Sequence, residues 1–155
     1  MLNFLKKYKS LILYILIPIV AGFIGNLLGG GNEIYDKINK PFFAPPPILF
    51  PIVWTVLYVL MGISAYLVSK EENSKKALTI YYIQLAVNVL WSFFFFRLNV
   101  FLFSSIWLLI LIILVVYMIY EFLKLNETAA YLQIPYALWI TFVFILNYAI
   151  YMLNP

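Results

Sequence analysis

Five apolar segments, each of about 20 residues, constrain this chain more than any other feature. They cover residues 10–28, 47–68, 77–96, 100–120 and 129–153. A helix of about 20 residues crosses the ~30 Å hydrocarbon core of a bilayer, and inside the bilayer only helices and closed barrels satisfy their backbone polar groups. The sequence therefore predicts an all-α membrane protein, a five-transmembrane-helix bundle forming a single domain over residues 1–155, with one long loop at 29–46.

Composition supports a membrane protein and excludes several kinds of chemistry. Hydrophobic residues make up 66% of the chain and charged residues 10%, whereas roughly a quarter of a soluble domain is charged. The chain has no cysteine and no histidine, which excludes disulfides and thiolate metal sites and removes the commonest general base. We therefore predict no cofactor and no metal site. We also predict no nucleic-acid partner, because the ten basic residues flank the apolar segments.

The basic residues also predict the orientation in the membrane. Three lie on the side of the loop at 29–46, and the other seven, Lys6, Lys7, Lys9, Lys70, Lys75, Lys76 and Lys124, lie on the N-terminal side. This imbalance predicts a cytoplasmic N-terminus. A cleaved signal peptide is the alternative for the first segment, since small residues follow its apolar core, but its length suits a membrane span. Frequent Ile, Lys, Asn and Phe suggest an AT-rich genome and a prokaryotic cytoplasmic membrane.

A proline-rich strap leads into the second apolar segment. Five of the eight prolines lie within residues 40–54, and each fixes its own φ and restricts the residue before it. Residues 41–47 should therefore be extended rather than helical. Pro47 or Pro51 can lie in the first turn of the next helix, with Trp54 about one turn inside, an arrangement that suggests a lid over a cavity.

Polar side chains at membrane depth are few and lie in two helices. No charged residue lies in the middle of a span, which disfavours proton-coupled pumps and voltage sensors. Gln84, Asn88, Trp91 and Phe95 share one face of the third span. The two amides either face a ligand or bond neighbouring helices at about 0.6–2 kcal/mol each, and the sequence leaves both interpretations open.

The fifth span carries Trp139 and Asn147 and should kink at Pro135. Trp54, Trp91 and Trp139, taken with the amides, favour a pocket for a flat apolar ligand. In the first span, Ala21, Gly25 and Gly29 repeat every four residues and predict close approach of another helix.

The order and spacing of these residues resemble the translocator protein family (TspO/MBR), also called peripheral-type benzodiazepine receptors or tryptophan-rich sensory proteins. The residues that carry the resemblance are Tyr35, Lys40-Pro41, Pro45-Pro46, the segment 51–62, Gln84-Leu85, Asn88, Trp91, Pro135-Tyr136, Trp139 and Leu146-Asn147-Tyr148. The resemblance implies a five-helix homodimer with a ligand cavity under the long loop. It also implies binding of porphyrins and other tetrapyrroles, of synthetic isoquinoline or benzodiazepine-type compounds and, in some members, of cholesterol.

Matching positions imply a set of ligand-binding residues. They are Tyr35, Pro45, Trp54, Tyr58, Asn88, Trp91, Trp139, Val143 and Leu146, to which the polar face of the third span adds Gln84. Trp54 and Trp139 match tryptophans that the family ties to light-dependent porphyrin breakdown; no other enzymatic activity is expected.

Three departures from the family pattern matter. Phe43 and Ile34 replace tryptophans of the loop, Val143 and Phe144 replace small residues and should narrow the cavity, and no basic residue follows Tyr148 to complete the proposed cholesterol motif.

We therefore expect a membrane transporter or sensor for porphyrins. A planar tetrapyrrole would stack on Trp54 and Trp139, Asn88 or Gln84 would bond its polar atoms, and Lys37, Lys40 or Arg97 would reach its propionates. The alternative is a structural or regulatory partner subunit without a small-molecule ligand, in which Gly25 and Gly29 serve assembly. An intramembrane hydrolase is disfavoured because the chain lacks His, Cys and paired catalytic acids.

Overall fold

The computed structural model describes residues 1–31 and 33–155, so residue 32 of the predicted loop lies outside the described residues. The helices are α1 (Leu2–Gly29), α2 (Glu33–Lys37), α3 (Leu49–Ser69), α4 (Lys75–Ser92), α5 (Phe101–Leu123), α6 (Glu127–Leu132) and α7 (Ile134–Leu153), with a π-helical turn at Phe93–Arg97. Five helical segments, with α6 and α7 taken together, are long and apolar enough to cross a membrane. The predicted all-α, five-helix membrane fold is therefore confirmed.

The first helix is longer than the predicted span. It starts at Leu2 rather than at residue 10, because Lys6, Lys7 and Lys9 are good helix formers that continue the helix beyond the apolar segment. The antiparallel succession of spans brings the C-terminus of α1, the N-terminus of α3, the π turn and the C-terminus of α7 to one end of the bundle, which we call the loop end.

The loop at 29–46 is more structured than the sequence suggests, because it contains the short helix α2. Residues 41–47 are not helical, as the prolines require. They are not extended throughout as predicted, because the Ala44 N–H donates to the Pro41 carbonyl at 3.1 Å and closes a turn. Helix α3 begins at Leu49, so Pro51 lies in its first turn and Pro47 just before it.

The fifth span is broken rather than kinked, which corrects the prediction at Pro135. Helix α6 ends at Leu132, Gln133 separates the two helices, and Pro135 is the second residue of α7. Proline lacks an N–H and its ring clashes with the carbonyl one turn earlier, whereas the first turn of a new helix accommodates both effects.

Glycines bring α1 against two neighbouring helices. A Cβ on Gly62 of α3 would lie 2.5 Å from the Cα of Ile15, so the α1 and α3 backbones touch there. Gly25 and Gly29 face α4, where a Cβ on Gly29 would lie 3.2 Å from the Ser92 carbonyl oxygen. The close approach predicted for Gly25 and Gly29 therefore occurs within one chain. Helix α1 contacts both α3 and α4, and the three helices enclose a wedge-shaped space.

Candidate functional site

A cavity of about 520 Å³ lies in the wedge between α1, α3 and α4, at the loop end of the bundle. Its size falls within the range of small-molecule sites, about 300–1,000 Å³. It is lined by Ile19, Gly22, Phe23, Asn26, Gly29, Gly31, Phe50, Pro51, Trp54, Thr55, Tyr58, Asn88, Trp91, Ser92 and Phe96.

The cavity has an opening on the side of the bundle. Phe23 on α1 is 63% exposed, and Thr55 on α3 is also exposed, although both line the cavity. Both belong to membrane-crossing helices. An apolar molecule dissolved in the bilayer can therefore reach the cavity between α1 and α3.

Four of the predicted site residues line this cavity, namely Trp54, Tyr58, Asn88 and Trp91. The others are distributed behind it. Tyr35, Val143 and Leu146 surround, with Trp91, a separate void of about 10 Å³. Pro45, Gln84 and Trp139 line neither space, so a direct ligand contact by any of the ten residues stays a prediction.

Stacked aromatic rings form one wall of the cavity. The rings of Trp54 and Tyr58 stack with centroids 5.5 Å apart and an interplanar angle of 24°. Trp139 meets Trp54 edge-on at 6.5 Å and packs on Phe142 at 5.3 Å. Trp139 thus supports Trp54 from behind, and its buried indole nitrogen has no hydrogen-bond partner in the described part of the chain.

A chain of hydrogen bonds forms the polar floor of the cavity. The Tyr58 hydroxyl donates to Asn88 Oδ1 at 3.1 Å, and Asn88 Nδ2 donates to the Tyr136 hydroxyl at 2.8 Å. The Tyr136 hydroxyl in turn donates to Gln84 Oε1 at 2.7 Å. Gln84 therefore fixes the Tyr136 hydroxyl that contacts Asn88. The Tyr58 hydroxyl donates its proton to Asn88, so the Tyr58 oxygen can still accept a hydrogen bond.

A second amide, that of Asn147, fixes the indole of Trp91. Asn147 Oδ1 accepts hydrogen bonds from Trp91 Nε1 at 3.0 Å and from Ser104 Oγ at 2.9 Å. Asn147 Nδ2 donates to the Phe101 carbonyl at 3.0 Å. This cluster joins α4, α5 and α7 and sets the orientation of the Trp91 indole.

Tyr35 anchors the loop that covers the loop end. Its buried hydroxyl donates to the Pro45 carbonyl at 2.8 Å, and Lys40 Nζ donates to the Tyr35 carbonyl at 2.6 Å. Burial, and to a lesser degree the charge of Asp36, raises the pKa of the Tyr35 hydroxyl, so it stays protonated and donating at neutral pH.

The loop is also tied to the C-terminal end of α7. The Asn39 backbone N–H donates to Asn154 Oδ1 at 3.0 Å, and Asn154 Nδ2 donates to the Asn39 carbonyl at 2.8 Å. Phe43 contacts Phe142 with ring centroids 6.4 Å apart. These contacts connect the strap to the helix that carries Trp139.

Arg97 joins the π turn to the end of α1. Its Nε donates to the Leu28 carbonyl at 2.6 Å and its Nη2 to the Leu27 carbonyl at 3.4 Å. The π turn, marked by the hydrogen bond from the Leu98 N–H to the Phe93 carbonyl at 3.1 Å, brings Arg97 to this position. Of the three predicted cations, Arg97 is therefore the one attached to a wall of the cavity.

Sequence reasoning missed the contribution of α1, which supplies Gly22, Phe23 and Asn26 to the cavity. Asn26 is the only polar side chain between Tyr14 and Gly29 in the sequence, and a lone amide in an apolar span is the signal that points to it. Nothing comparable in the sequence identifies Gly22, because its role depends on the helix that packs against it.

Comparison with known proteins identifies the family. The model of the TspO/MBR family matches residues 14–153. Tryptophan-rich protein TspO of Archaeoglobus fulgidus is 37% identical over 160 aligned positions, which cover 99% of each chain. Tryptophan-rich sensory protein of Cereibacter sphaeroides is 36% identical over 79% of this chain and 78% of its own. The translocator protein of Sus scrofa is 30% identical over 89% of this chain and 86% of its own. The chain belongs to the TspO/MBR family.

Proposed function

We propose that this protein is a membrane sensor or transporter that binds porphyrins or related planar tetrapyrroles in the cavity between α1, α3 and α4. The observation that carries the proposal is the 520 Å³ space with aromatic walls at membrane depth. Relatives are named as sensory and translocator proteins, which supports a sensing or transport role rather than enzymatic turnover.

The walls suit a flat conjugated ring. Trp54 on α3 and Trp91 on α4 both line the cavity. Aromatic pairs gain about 0.5–1.5 kcal/mol beyond the area that they bury. The Tyr58 oxygen provides an acceptor for a ligand N–H, so Tyr58 and Asn88 position the ligand and Gln84 acts through them. Trp139 acts by holding Trp54 in place.

Light-dependent porphyrin breakdown belongs to this proposal as a consequence of binding. The Trp54 ring lies on the cavity and contacts both Tyr58 and Trp139, so an excited ligand would meet an oxidisable aromatic group. Illumination of the complex, with and without Trp54, tests this part separately from binding.

The decisive experiment is a titration of protoporphyrin IX against purified protein, followed by the change in porphyrin absorbance. We compare the wild type with Trp54→Phe and with a control, Trp107→Phe. Trp107 donates to the Val87 carbonyl at 2.7 Å and does not line the cavity. Saturable binding that is weakened about tenfold by Trp54→Phe, and unchanged by Trp107→Phe, supports the proposal. Absorbance that never saturates in any variant contradicts it and favours the partner-subunit alternative.

We further propose that the protein is a homodimer in a prokaryotic cytoplasmic membrane, with its N-terminus inside. Much of the outward face of α1 is apolar and exposed, which supports an assembly surface distinct from the inward-facing Gly25 and Gly29. The absence of native cysteine allows a clean topology test. Glu72→Cys should resist, and Lys37→Cys should accept, a thiol reagent that cannot cross the membrane; the reverse labelling contradicts the orientation.

A further inference from the structure

We propose that the protein binds water in a buried site of its own, between α4 and the break that separates α6 from α7. The side chains that bind the water are Gln84, Gln133 and Tyr81. The site lies about one helical turn beyond the cavity floor, toward the end of the bundle opposite the loop end. It is separate from the cavity, and the inference does not depend on which molecule the cavity binds.

The break in the fifth span removes a backbone hydrogen bond inside the membrane. In a continuous α-helix the Gln133 N–H would donate to the Ala129 carbonyl, four residues earlier. It donates instead to the Ala130 carbonyl at 3.1 Å, and the Ser64 hydroxyl of α3 donates to the freed Ala129 carbonyl at 2.6 Å. A polar side chain of a neighbouring helix thus stabilises the break, as a broken helix inside a bilayer requires.

Gln133 itself carries an amide without a partner in the protein. Its side chain is fully buried, and among the described residues neither its Oε1 nor its Nε2 has a hydrogen-bond partner. Such a group costs free energy on folding, because it has lost the water that solvated it in the unfolded chain. A polar molecule that stays with the amide explains why glutamine is tolerated at this position.

Two further buried polar groups lie on α4. Gln84 Nε2 and the Tyr81 hydroxyl also have no hydrogen-bond partner within residues 1–31 and 33–155, and both side chains are fully buried. The two residues are three positions apart in one helix, so their side chains share a face.

These groups lie close together because α4 and α7 run in the same direction through the bundle. The 2.7 Å hydrogen bond between Tyr136 and Gln84 sets the level of one helix against the other. Tyr81 lies three residues before Gln84, and Gln133 lies three residues before Tyr136, so both are about one turn farther from the loop end. Four unpartnered polar atoms of the described chain therefore come from adjoining turns of two helices.

Water matches this set of donors and acceptors. A buried water molecule makes about three hydrogen bonds to polar groups that lack other partners. Gln133 Oε1 accepts a proton from the water, while Gln84 Nε2 and the Tyr81 hydroxyl donate to its oxygen. Gln133 Nε2 then donates to a second water molecule. Polar groups that are too far apart for a direct hydrogen bond are commonly joined in this way.

The water also fixes the cavity floor. By accepting a hydrogen bond from Gln84 Nε2 it sets the orientation of that amide, so that Gln84 Oε1 stays directed at the Tyr136 hydroxyl. Tyr136 in turn accepts from Asn88 at 2.8 Å. The polar chain that starts at Tyr58 therefore continues past the floor for one further helical turn.

The test uses the fact that the sequence contains only two glutamines, Gln84 and Gln133. Protein labelled with nitrogen-15 in the glutamine side-chain amides is placed in phosphatidylcholine nanodiscs, and nuclear Overhauser transfer from water protons to each amide is measured by NMR. We expect water cross peaks at both amides. The cross peak of Gln133 should persist in Tyr81→Phe, which excludes relay through the exchangeable proton of the Tyr81 hydroxyl.

Gln133→Leu tests the same site through stability. Leucine is similar in size to glutamine and cannot bind water, so Gln84 Nε2 and the Tyr81 hydroxyl lose a shared partner. The midpoint of thermal unfolding should fall by about 4 °C, and the water cross peak of Gln84 should weaken. The control is Tyr148→Phe, which removes the hydroxyl of an exposed tyrosine on α7 and should change neither quantity.

Either of two results would overturn the inference. The first is a wild-type spectrum in which Gln133 has no water cross peak, because its amide would then be dry. The second is a Gln133→Leu variant that is more stable than the wild type, because the amide would then cost free energy without binding anything. If Gln133→Leu does not fold, the spectra of the wild type and of Tyr81→Phe decide the question. None of these measurements uses a porphyrin, so a failure of the proposed function would leave the inference intact.

Discussion

Asn88 and Asn147 are both asparagines buried in membrane helices, with 5% and 1% of their surfaces exposed, yet they serve different regions. Asn147 bonds groups of the packed core, and the neighbouring void measures only about 10 Å³. Asn88 bonds two tyrosine hydroxyls, and one of these, on Tyr58, lies on the wall of the 520 Å³ cavity. The difference teaches that an amide becomes part of a binding surface only where helix packing leaves space beside it.

The space beside Asn88 depends on how closely α1 approaches α3. A substitution that forces these two helices apart should therefore have the largest effect on stability. In Gly62→Ala the new Cβ would lie 2.5 Å from a backbone atom of α1, so the two helices must separate. We expect a loss of about 3 kcal/mol in the free energy of unfolding, measured by SDS titration in mixed micelles.

Gly25→Ala is the matched control for this substitution. Its Cβ would lie 3.4 Å from the Val89 carbonyl oxygen, an ordinary contact, so stability should change little. Equal stability of the two variants would contradict the role of Gly62 in setting the distance between α1 and α3.

The second prediction separates the two amides directly. Asn147→Leu leaves Trp91 Nε1 and Ser104 Oγ without their shared acceptor, so it should lower the free energy of unfolding by about 2 kcal/mol. Asn88→Leu frees the Tyr58 hydroxyl at the cavity and should lower protoporphyrin IX affinity about tenfold. Unfolding curves and absorbance titrations of both variants check this. If Asn147→Leu altered affinity more than Asn88→Leu did, the division between packing and binding would be wrong.

A smaller effect is expected from Gly22→Ala, which changes the cavity and leaves the core alone. The new Cβ would lie 2.2 Å from Cε2 of Tyr58, so this ring, which lines the cavity, must shift. We expect a several-fold loss of protoporphyrin IX affinity with nearly unchanged thermal stability. Unchanged affinity would mean that the Tyr58 ring does not contact the ligand.

The smallest effect should come from the loop. Asn154→Ala removes two hydrogen bonds to Asn39, each worth about 1 kcal/mol or less at an exposed site. Hydrogen exchange should accelerate at residues 38–45 and stay unchanged in α4, and ligand dissociation should quicken about two-fold. Faster exchange in α4 as well would show that the contact supports the whole bundle rather than the loop.

Much of the fold could be predicted because bilayer thickness and proline chemistry act locally. The five spans follow from segment length, and the absence of helix in the strap follows from its prolines, although the turn at Phe42 and Phe43 does not. The break at Gln133 was harder to foresee, because Pro135 is compatible with either a kink or a new helix start, and packing decides between them.

The cavity was only partly predictable for a physical reason. Trp54 and Asn88 stand out because tryptophan and amides are uncommon choices inside a span. Gly22 and Gly62 do not stand out, because a glycine gains its role from the partner helix across the contact. The wall supplied by α1 thus depends on tertiary packing that no local pattern encodes.

The π turn at Phe93–Arg97 has an evolutionary consequence. Because a π turn holds one residue more than an α-turn, deletion of a single residue there would restore regular α-helical bonding and leave Arg97 on nearly the same side of the axis. The aromatic wall, which lies earlier on α4, would keep its place. One codon can therefore be gained or lost at this turn without any rebuilding of the pocket.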